Sequence, residues 1–349
     1  MDMKGLRVGY TPYSMNLNKP GDKRRFCFYA QKRNIHFEIA DPDKSYDLVF
    51  INYSGDLSVW SNYRKGNAKL IFEIIDSYLT IPRTDLKGQL RGLAKFANRQ
   101  SRYLQLDYWK AIQSMCQRAD AVVCSTQEQK KDIMEFCQNV HVILDVHSSV
   151  ASRVKTDYSA GDVFNFVWEG LPGNVSSLNE IGEVLEHLQN KYKIALHLVT
   201  DLEYGQFMQK YWKKRTADVG RKIFSNTYLY EWNEQTCSAI ITACDLALIP
   251  IPLDERMMSG KPENKLLLFW RMGMPTVVSA TPAYERAMER SGLHMACRTQ
   301  QEWQETLESY IIDESARREA GQRGKIFAES HYSEEQILTL WDRLFESVL

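Results

Sequence analysis

Leu229-Tyr230-Glu231-Trp232 opens the stretch that decides the fold, and Thr276-Val277-Val278-Ser279 closes it. Between them lie a helix-like run, the apolar strand Cys244-Asp245-Leu246-Ala247-Leu248-Ile249-Pro250 and a polar loop ending in Ser259-Gly260-Lys261-Pro262-Glu263-Asn264-Lys265. A further apolar run then turns at Gly273-Met274-Pro275. Short apolar strands alternating with helices read as parallel strands buried on both faces. Such sheets bind ligands in a crevice beyond the carboxyl ends of their strands.

The same alternation extends outward. Short apolar runs at 6–10, 46–52, 69–75, 119–124 and 140–144 predict a first sheet. Ser125-Thr126 followed by Gln127-Glu128-Gln129 predicts a capped helix start. Residues 148–162 lose periodicity and read as a linker, after which runs at 163–168 and 194–200 begin a second sheet. A helix is expected over 178–190 and another from Pro262. In the last segment, Ile337, Leu338, Trp341, Leu344 and Phe345 share one face at helical spacing. The expected fold class is α/β, with two successive Rossmann-like domains over 1–155 and 156–330 and a terminal helix at 331–349 that packs back on the first.

Bulk properties narrow the function. A chain of 349 residues is longer than one core usually fills. Lysine plus arginine balances aspartate plus glutamate at 44 each, which gives no argument for nucleic acid. The seven cysteines form no Cys-x-x-Cys pair, several sit in apolar runs, and they read as reduced core residues of a cytoplasmic protein. No apolar stretch is long enough to span a bilayer, and the start lacks a secretory signal's apolar segment.

The polar loop carries the binding chemistry. Proline is tolerated in a helix's first turn, and a helix start offers free amides to phosphate oxygens. Arg256, Lys261 and Lys265 add positive charge there, Ser259 and Gly260 precede the helix, and Glu263 and Asn264 have groups for sugar or ribose hydroxyls. Ser-Gly-Lys is not a P-loop, because Arg256 stands where that motif needs glycine and Pro262 where it needs a hydroxyl. The ordinary reading of the whole loop is a solvated, capped turn.

In the first half, Asp76 follows the 69–75 strand and is the first choice for a base or acceptor contact; capping the turn before Ser77 is its ordinary role. Tyr10, Thr11 and Tyr13 follow the first strand and are candidates for the acceptor side. Arg83, Lys87, Arg91, Lys95 and Arg99 recur every four residues, a basic stripe that reads either as a solvated helix face or as a peripheral contact with anionic membrane or a phosphate-bearing acceptor. The stripe stands alone, and nucleic acid is not favoured. No histidine spacing or carboxylate pair argues for a metal.

The ordered set Ala119-Asp120-Ala121-Val122-Val123-Cys124-Ser125-Thr126, Val142-Ile143-Leu144-Asp145-Val146-His147, Asp245-Leu246-Ala247-Leu248-Ile249-Pro250, Glu263-Asn264-Lys265-Leu266-Leu267 and Gly273-Met274-Pro275-Thr276-Val277-Val278 resembles the GT-B-fold glycosyltransferases, particularly the large retaining class that uses nucleotide-sugars. The resemblance is clearest over 119–349. It implies two Rossmann-like domains facing across a cleft, a nucleotide diphosphate-sugar donor on the second, and a saccharide, glycolipid or other glycan acceptor on the first. No cofactor or metal is implied. Asp76 and Lys265 would carry the transfer. Gly173 and Asn174 would bring amides near the diphosphate, and Tyr230, Glu231 and Trp232 would lie beside the base. The paired glutamates of many retaining members are replaced by Gly260 and Leu268. Two alternatives therefore stand beside a metal-independent, retaining transferase: a non-catalytic nucleotide- or glycan-binding scaffold of the same fold, and a transferase using another phosphorylated donor.

Overall fold

The computed structural model describes the backbone of residues 5–81, 86–206 and 212–349, and side chains over 5–81, 92–205 and 213–349. Contacts divide the chain into two units. The first is Met1–Val146 with Gly260–Pro262 and Glu334–Leu349; the second is His147–Ser259 with Glu263–Ser333.

The first unit holds a six-stranded sheet of β1 (Val8–Thr11), β2 (Glu38–Ile39), β3 (Leu48–Asn52), β4 (Lys69–Glu73), β5 (Ala121–Cys124) and β6 (Val140–Val142). The order is β2-β1-β3-β4-β5-β6 and each pairing is parallel. Every residue of β3 and β5 is buried, which is why these runs read as unbroken apolar segments. After β5, Thr126 and Gln129 form a reciprocal capping box that starts the Gln127–Ile133 helix.

The second unit contains β7 (Phe164–Glu169), β8 (Ile194–Thr200), the hairpin β9 (Glu203–Gln206) and β10 (Trp212–Arg215), then β11 (Thr227–Glu231), β12 (Leu246–Ile249), β13 (Thr276–Ser279) and β14 (Ala296–Cys297). Its parallel sheet runs β11-β8-β7-β12-β13-β14. The chain winds from β7 to one edge and then returns to build the other. The switch between β7 and β12 is where the crevice rule puts a ligand. In the first sheet the corresponding switch lies between β1 and β3.

The Glu334–Glu346 helix belongs to the first unit, and the five apolar residues named for it are all buried. Its Phe345 stacks on Tyr29 at 5.0 Å and its Trp341 at 5.6 Å, while Phe26 stacks on Phe50 at 4.6 Å in the same cluster. All seven cysteines are free, and all but Cys27 are buried. Among the described residues, no helix is long and apolar enough to cross a membrane.

Two helix expectations need correction, and the 148–162 segment, read as a linker, is irregular but held by side chains. Lys155 donates to the carbonyls of Thr242 and Cys244, Tyr158 donates to the Gly273 carbonyl, and Arg317 donates to the Tyr158 carbonyl. Its irregular backbone is pinned by side chains from elements far away in sequence. The helix expected over 178–190 begins earlier, as a 3-10 run over Pro172–Ile181, and then becomes the α-helix Gly182–Gln189. Pro172, Val175, Leu178 and Ile181 are buried at a three-residue period, which matches a 3-10 turn. The helix expected from Pro262 opens at Asn264.

Candidate functional site

The first connection of the second sheet leaves β7 at Glu169 and passes through Gly170. Trp168 is buried just before it. The ammonium of Lys265 lies 4.8 Å from the centre of the Trp168 ring, a cation–π contact. A Cβ built on Gly170 would collide with Lys265 Nζ and lie 3.0–3.1 Å from the indole. Gly170 is thus the space into which the Lys265 head fits. The end of β7 and the Asn264–Arg271 helix, nearly 100 positions apart in sequence, are joined at the switch point of the sheet. A helix start and a lysine together present positive potential there.

Glu263 sits at the N-cap position of that helix without capping it through its side chain. The carboxylate is buried and accepts from the Tyr332 hydroxyl at 3.4 Å. Burial first, and Glu263 second, push the Tyr332 hydroxyl up to about 12. Arg271 donates to the Tyr332 carbonyl, so the end of the Glu314–His331 helix is tied to this helix at two points. Asn264 is the first residue of the helix. Downstream, Gly273 closes it with φ 68°; its amide donates to Trp270 O and the Met274 amide to Phe269 O, a Schellman motif.

Other candidates lie elsewhere. Asn174 is inside the 3-10 run and its amide donates to the Leu171 carbonyl, so that amide is engaged in the turn. Gly173 has open space where a side chain would be. Tyr230 and Glu231 end β11, the edge strand, with β8 between them and β7. The Tyr230 hydroxyl meets His197 Nδ1 at 3.2 Å, and His197 Nε2 meets Asn165 Oδ1 at 2.9 Å. The Trp232 amide donates to the Thr200 carbonyl and extends that edge. Arg256 is exposed at the start of the short Arg256–Ser259 helix, whose Ser259 hydroxyl donates back to the Arg256 carbonyl.

Lys261 pairs with Asp76. Lys261 belongs to the first unit, where its ammonium lies 2.8 Å from Asp76 Oδ1, and the Ser77 hydroxyl donates to the Gly260 carbonyl at 3.1 Å. Two sequence candidates 185 positions apart therefore form one partly exposed ion pair. Asp76 and Ser77 also line a small pocket with Gln129 and Asp132, beyond the end of β4.

At the switch point of the first sheet, Thr11 Oγ1 accepts from the Asn52 amide at 3.0 Å, and the Thr11 carbonyl accepts from the Asn52 side chain. Tyr10 is fully buried and donates to Asp22 at 2.9 Å. Tyr13 donates to Glu73 Oε2 at 2.8 Å. The buried Arg25 links Glu73 at 2.6 Å to Asp145 at 2.7 Å. Burial opposes the Arg25 charge, yet Glu73 and Asp145 hold its guanidinium above the ordinary value. Burial raises the Glu73 carboxyl, with Arg25 pulling against it, and burial with Glu73 raises the Tyr13 phenol. The tyrosines and threonine are thus held in a framework. Arg25 is a residue that sequence reading missed; it stands at the end of the basic run Lys23-Arg24-Arg25, directly ahead of the apolar run at 26–30, and nothing local separates it from its two neighbours.

The basic stripe is not one helix face. Arg83 lies outside the described residues, and Lys87 and Arg91 lie on the Leu86–Ala97 helix with side chains outside them. Lys95 turns to the Tyr108 hydroxyl at 2.7 Å, and Arg99 follows the end of the helix at φ 58°. Among the described residues, no group of three or more histidine, cysteine or carboxylate side chains has an arrangement that could hold a metal ion.

No family model matches the sequence, and no curated protein matches it either. Solved structures do match. The chain is similar to Anabaena HepE, solved with UDP and glucose, at TM-score 0.65 and 12% identity over 98% of this chain and 99% of that one. A glycosyltransferase from Rickettsia africae gives TM-score 0.61 at 8% identity over 97% of both chains. The chain has the GT-B fold. TarM shares it at TM-score 0.58 and 12% identity over 85% of this chain, which spans only 54% of TarM. In GT-B terms, both doubly wound sheets and their two switch points are present in this one chain.

Proposed function

We propose that this chain transfers a sugar from a nucleoside-diphosphate sugar, UDP-linked donors first in order of trial, to a saccharide or glycolipid acceptor. The observation that carries the reading is Lys265 seated against Gly170 and Trp168 at the switch point of the second sheet. HepE was solved with UDP and glucose, which supports a uridine donor here. In the transfer, the bond from the anomeric carbon to the diphosphate oxygen breaks and a bond to the acceptor hydroxyl oxygen forms. Lys265 and the first amides of the Asn264–Arg271 helix meet the charge that grows on the leaving diphosphate. The reading needs no metal for that step. Asp76, held by Lys261, is the acceptor-side contact, accepting from the hydroxyl that reacts. Retention of configuration is the proposed outcome.

Ligand-detected NMR against UDP-, GDP-, ADP-, TDP- and CMP-linked sugars tests the reading. Specific binding identifies the base, and analysis of the product anomer then tests retention. A folded protein that binds none of them overturns a nucleotide-sugar donor. Asp76→Asn is expected to reduce transfer more than donor binding; wild-type turnover would remove Asp76 from the reaction. A second reading, nucleotide binding without turnover, is favoured by Leu268, an apolar side chain buried where many retaining members carry a glutamate. It predicts donor affinity with neither transfer nor donor hydrolysis.

A further inference from the structure

We propose that the end of the Leu86–Ala97 helix and the 99–106 segment after it form a docking face for an anionic lipid bilayer. Five large apolar side chains crowd this short span: Leu93, Phe96, Tyr103, Leu104 and Leu106 are each 43–68% exposed. Scattered exposed apolar residues are ordinary, but a contiguous group marks an interaction surface. The helix that carries Leu93 and Phe96 meets the segment that carries Leu104 and Leu106 where Gly92 lacks a side chain. A Cβ there would strike the Gln105 carbonyl oxygen, so the helix and the segment holding Leu104 and Leu106 are in direct contact. The segment is also fixed to the body of its unit. The Arg102 amide donates to Asp56 at 2.6 Å and the Tyr103 amide to the Ser58 hydroxyl at 3.1 Å.

Charge selects the partner. Residues 86–106 contain five cations and no carboxylate, in a chain whose charges balance overall. Arg99 and Arg102 are exposed beside the apolar group, and Lys110 is exposed one helical turn beyond it. Lys95 is turned inward to Tyr108 and is left out of the face. Asp107, the first acid after the span, is committed to capping the Tyr108–Arg118 helix. Arg99 taken singly is explained by the carbonyl end of its helix. That does not explain why aromatic and leucine side chains stand in solvent next to it. Leucine and aromatic residues bordered by arginine, with no acid in the 86–106 span and the neighbouring Asp56 engaged by the Arg102 and Ser58 amides, suit the boundary between headgroups and acyl chains of an anionic leaflet. The inference is independent of sugar transfer, since vesicle binding requires no turnover.

The test is flotation of the full chain with vesicles of phosphatidylcholine alone and of phosphatidylcholine in which about a quarter is replaced by phosphatidylglycerol. Flotation with the anionic vesicles only, weakened by salt, is the expected result. Arg99→Gln with Arg102→Gln should lower partitioning roughly 10- to 30-fold. Leu104→Ser with Leu106→Ser should lower it at least as much, while Ile326→Ser, an exposed apolar site in the second unit, should change nothing. All of these side chains are solvent-facing, and circular dichroism checks that the fold survives. No flotation, or equal flotation with both vesicle types, overturns the proposal. Wild-type binding by both double variants places any lipid contact elsewhere and overturns it too. Self-association in the absence of lipid that Leu104→Ser with Leu106→Ser abolishes would make the face a contact between copies of the chain instead.

Discussion

At the residue scale, Gly170 and Lys265 are the pair on which the proposed donor site rests. Lys265→Ala removes the cation and is expected to weaken nucleotide-sugar binding about tenfold or more, with little change in melting temperature. Gly170→Val is the complementary test. Its branched side chain would occupy the space of Lys265 Nζ and press on Trp168, so donor affinity should fall although no charge is lost. Titration calorimetry reads both, and unchanged affinity in both variants removes the pair from the donor site. The polar loop made Lys265 a candidate from sequence, because a helix start with lysine is legible there. Its position was not legible, since it depends on Trp168, Gly170 and the register of a strand nearly 100 residues earlier. The same limit hid the pairing of Lys261 with Asp76.

At the element scale, the Glu334–Glu346 helix completes the first unit's core. Trp341→Ala should cost roughly 3–5 kcal/mol, because the indole is fully buried against Tyr29 and Phe50. Urea unfolding measures it, and a loss below about 1 kcal/mol would contradict that packing. The β7, β8 and β11 strands predict a pH effect. Burial lowers the His197 pKa below its ordinary 6.5. Neutral imidazole also suits its partners, with Nε2 donating to Asn165 Oδ1 and Nδ1 accepting from Tyr230. As pH falls below about 6.5 the unfolded chain takes the proton first, so stability present above that value is lost as pH passes down through the folded pKa. His197→Phe should flatten the dependence of unfolding free energy on pH between about 7 and 5, at the cost of lower stability near neutrality. An unchanged slope would mean that His197 does not titrate in this way. The sequence shows the strand that carries His197, but an imidazole's charge state is set by neighbours on other strands.

At the scale of the whole molecule, two units imply two responses. A donor bound by the second unit should raise its unfolding free energy by about 2.7 kcal/mol at a hundredfold excess over Kd. Differential scanning calorimetry with and without UDP-glucose would show it, and no shift at saturating nucleotide would argue against donor binding. The fold class was open to reading because buried parallel strands write themselves as short unbroken apolar runs, as 48–52, 121–124 and 246–249 do. The two-residue strands β2 and β14 carry too little pattern to be read, and the polar β9–β10 hairpin lacks apolar alternation.

What the sequence determined by itself was periodicity and local chemistry: the alternation of strand and helix, the Thr126 cap, the apolar face of the final helix, and a basic helix start after Pro262. These are set by neighbours within a few positions, through backbone geometry and hydrogen bonds that short segments satisfy alone. Tertiary structure decided which groups meet. It seated Lys265 on Trp168, gave Lys261 to Asp76, buried Tyr10 and Tyr13 in a network around Arg25 and Glu73, bound 148–162 into the second unit, and brought Gln105 against Gly92 of the helix that carries Leu93 and Phe96. The physical reason is that charge pairing, desolvation and exposure depend on distances through space, and strand order and close backbone approach set those distances without regard to separation along the chain.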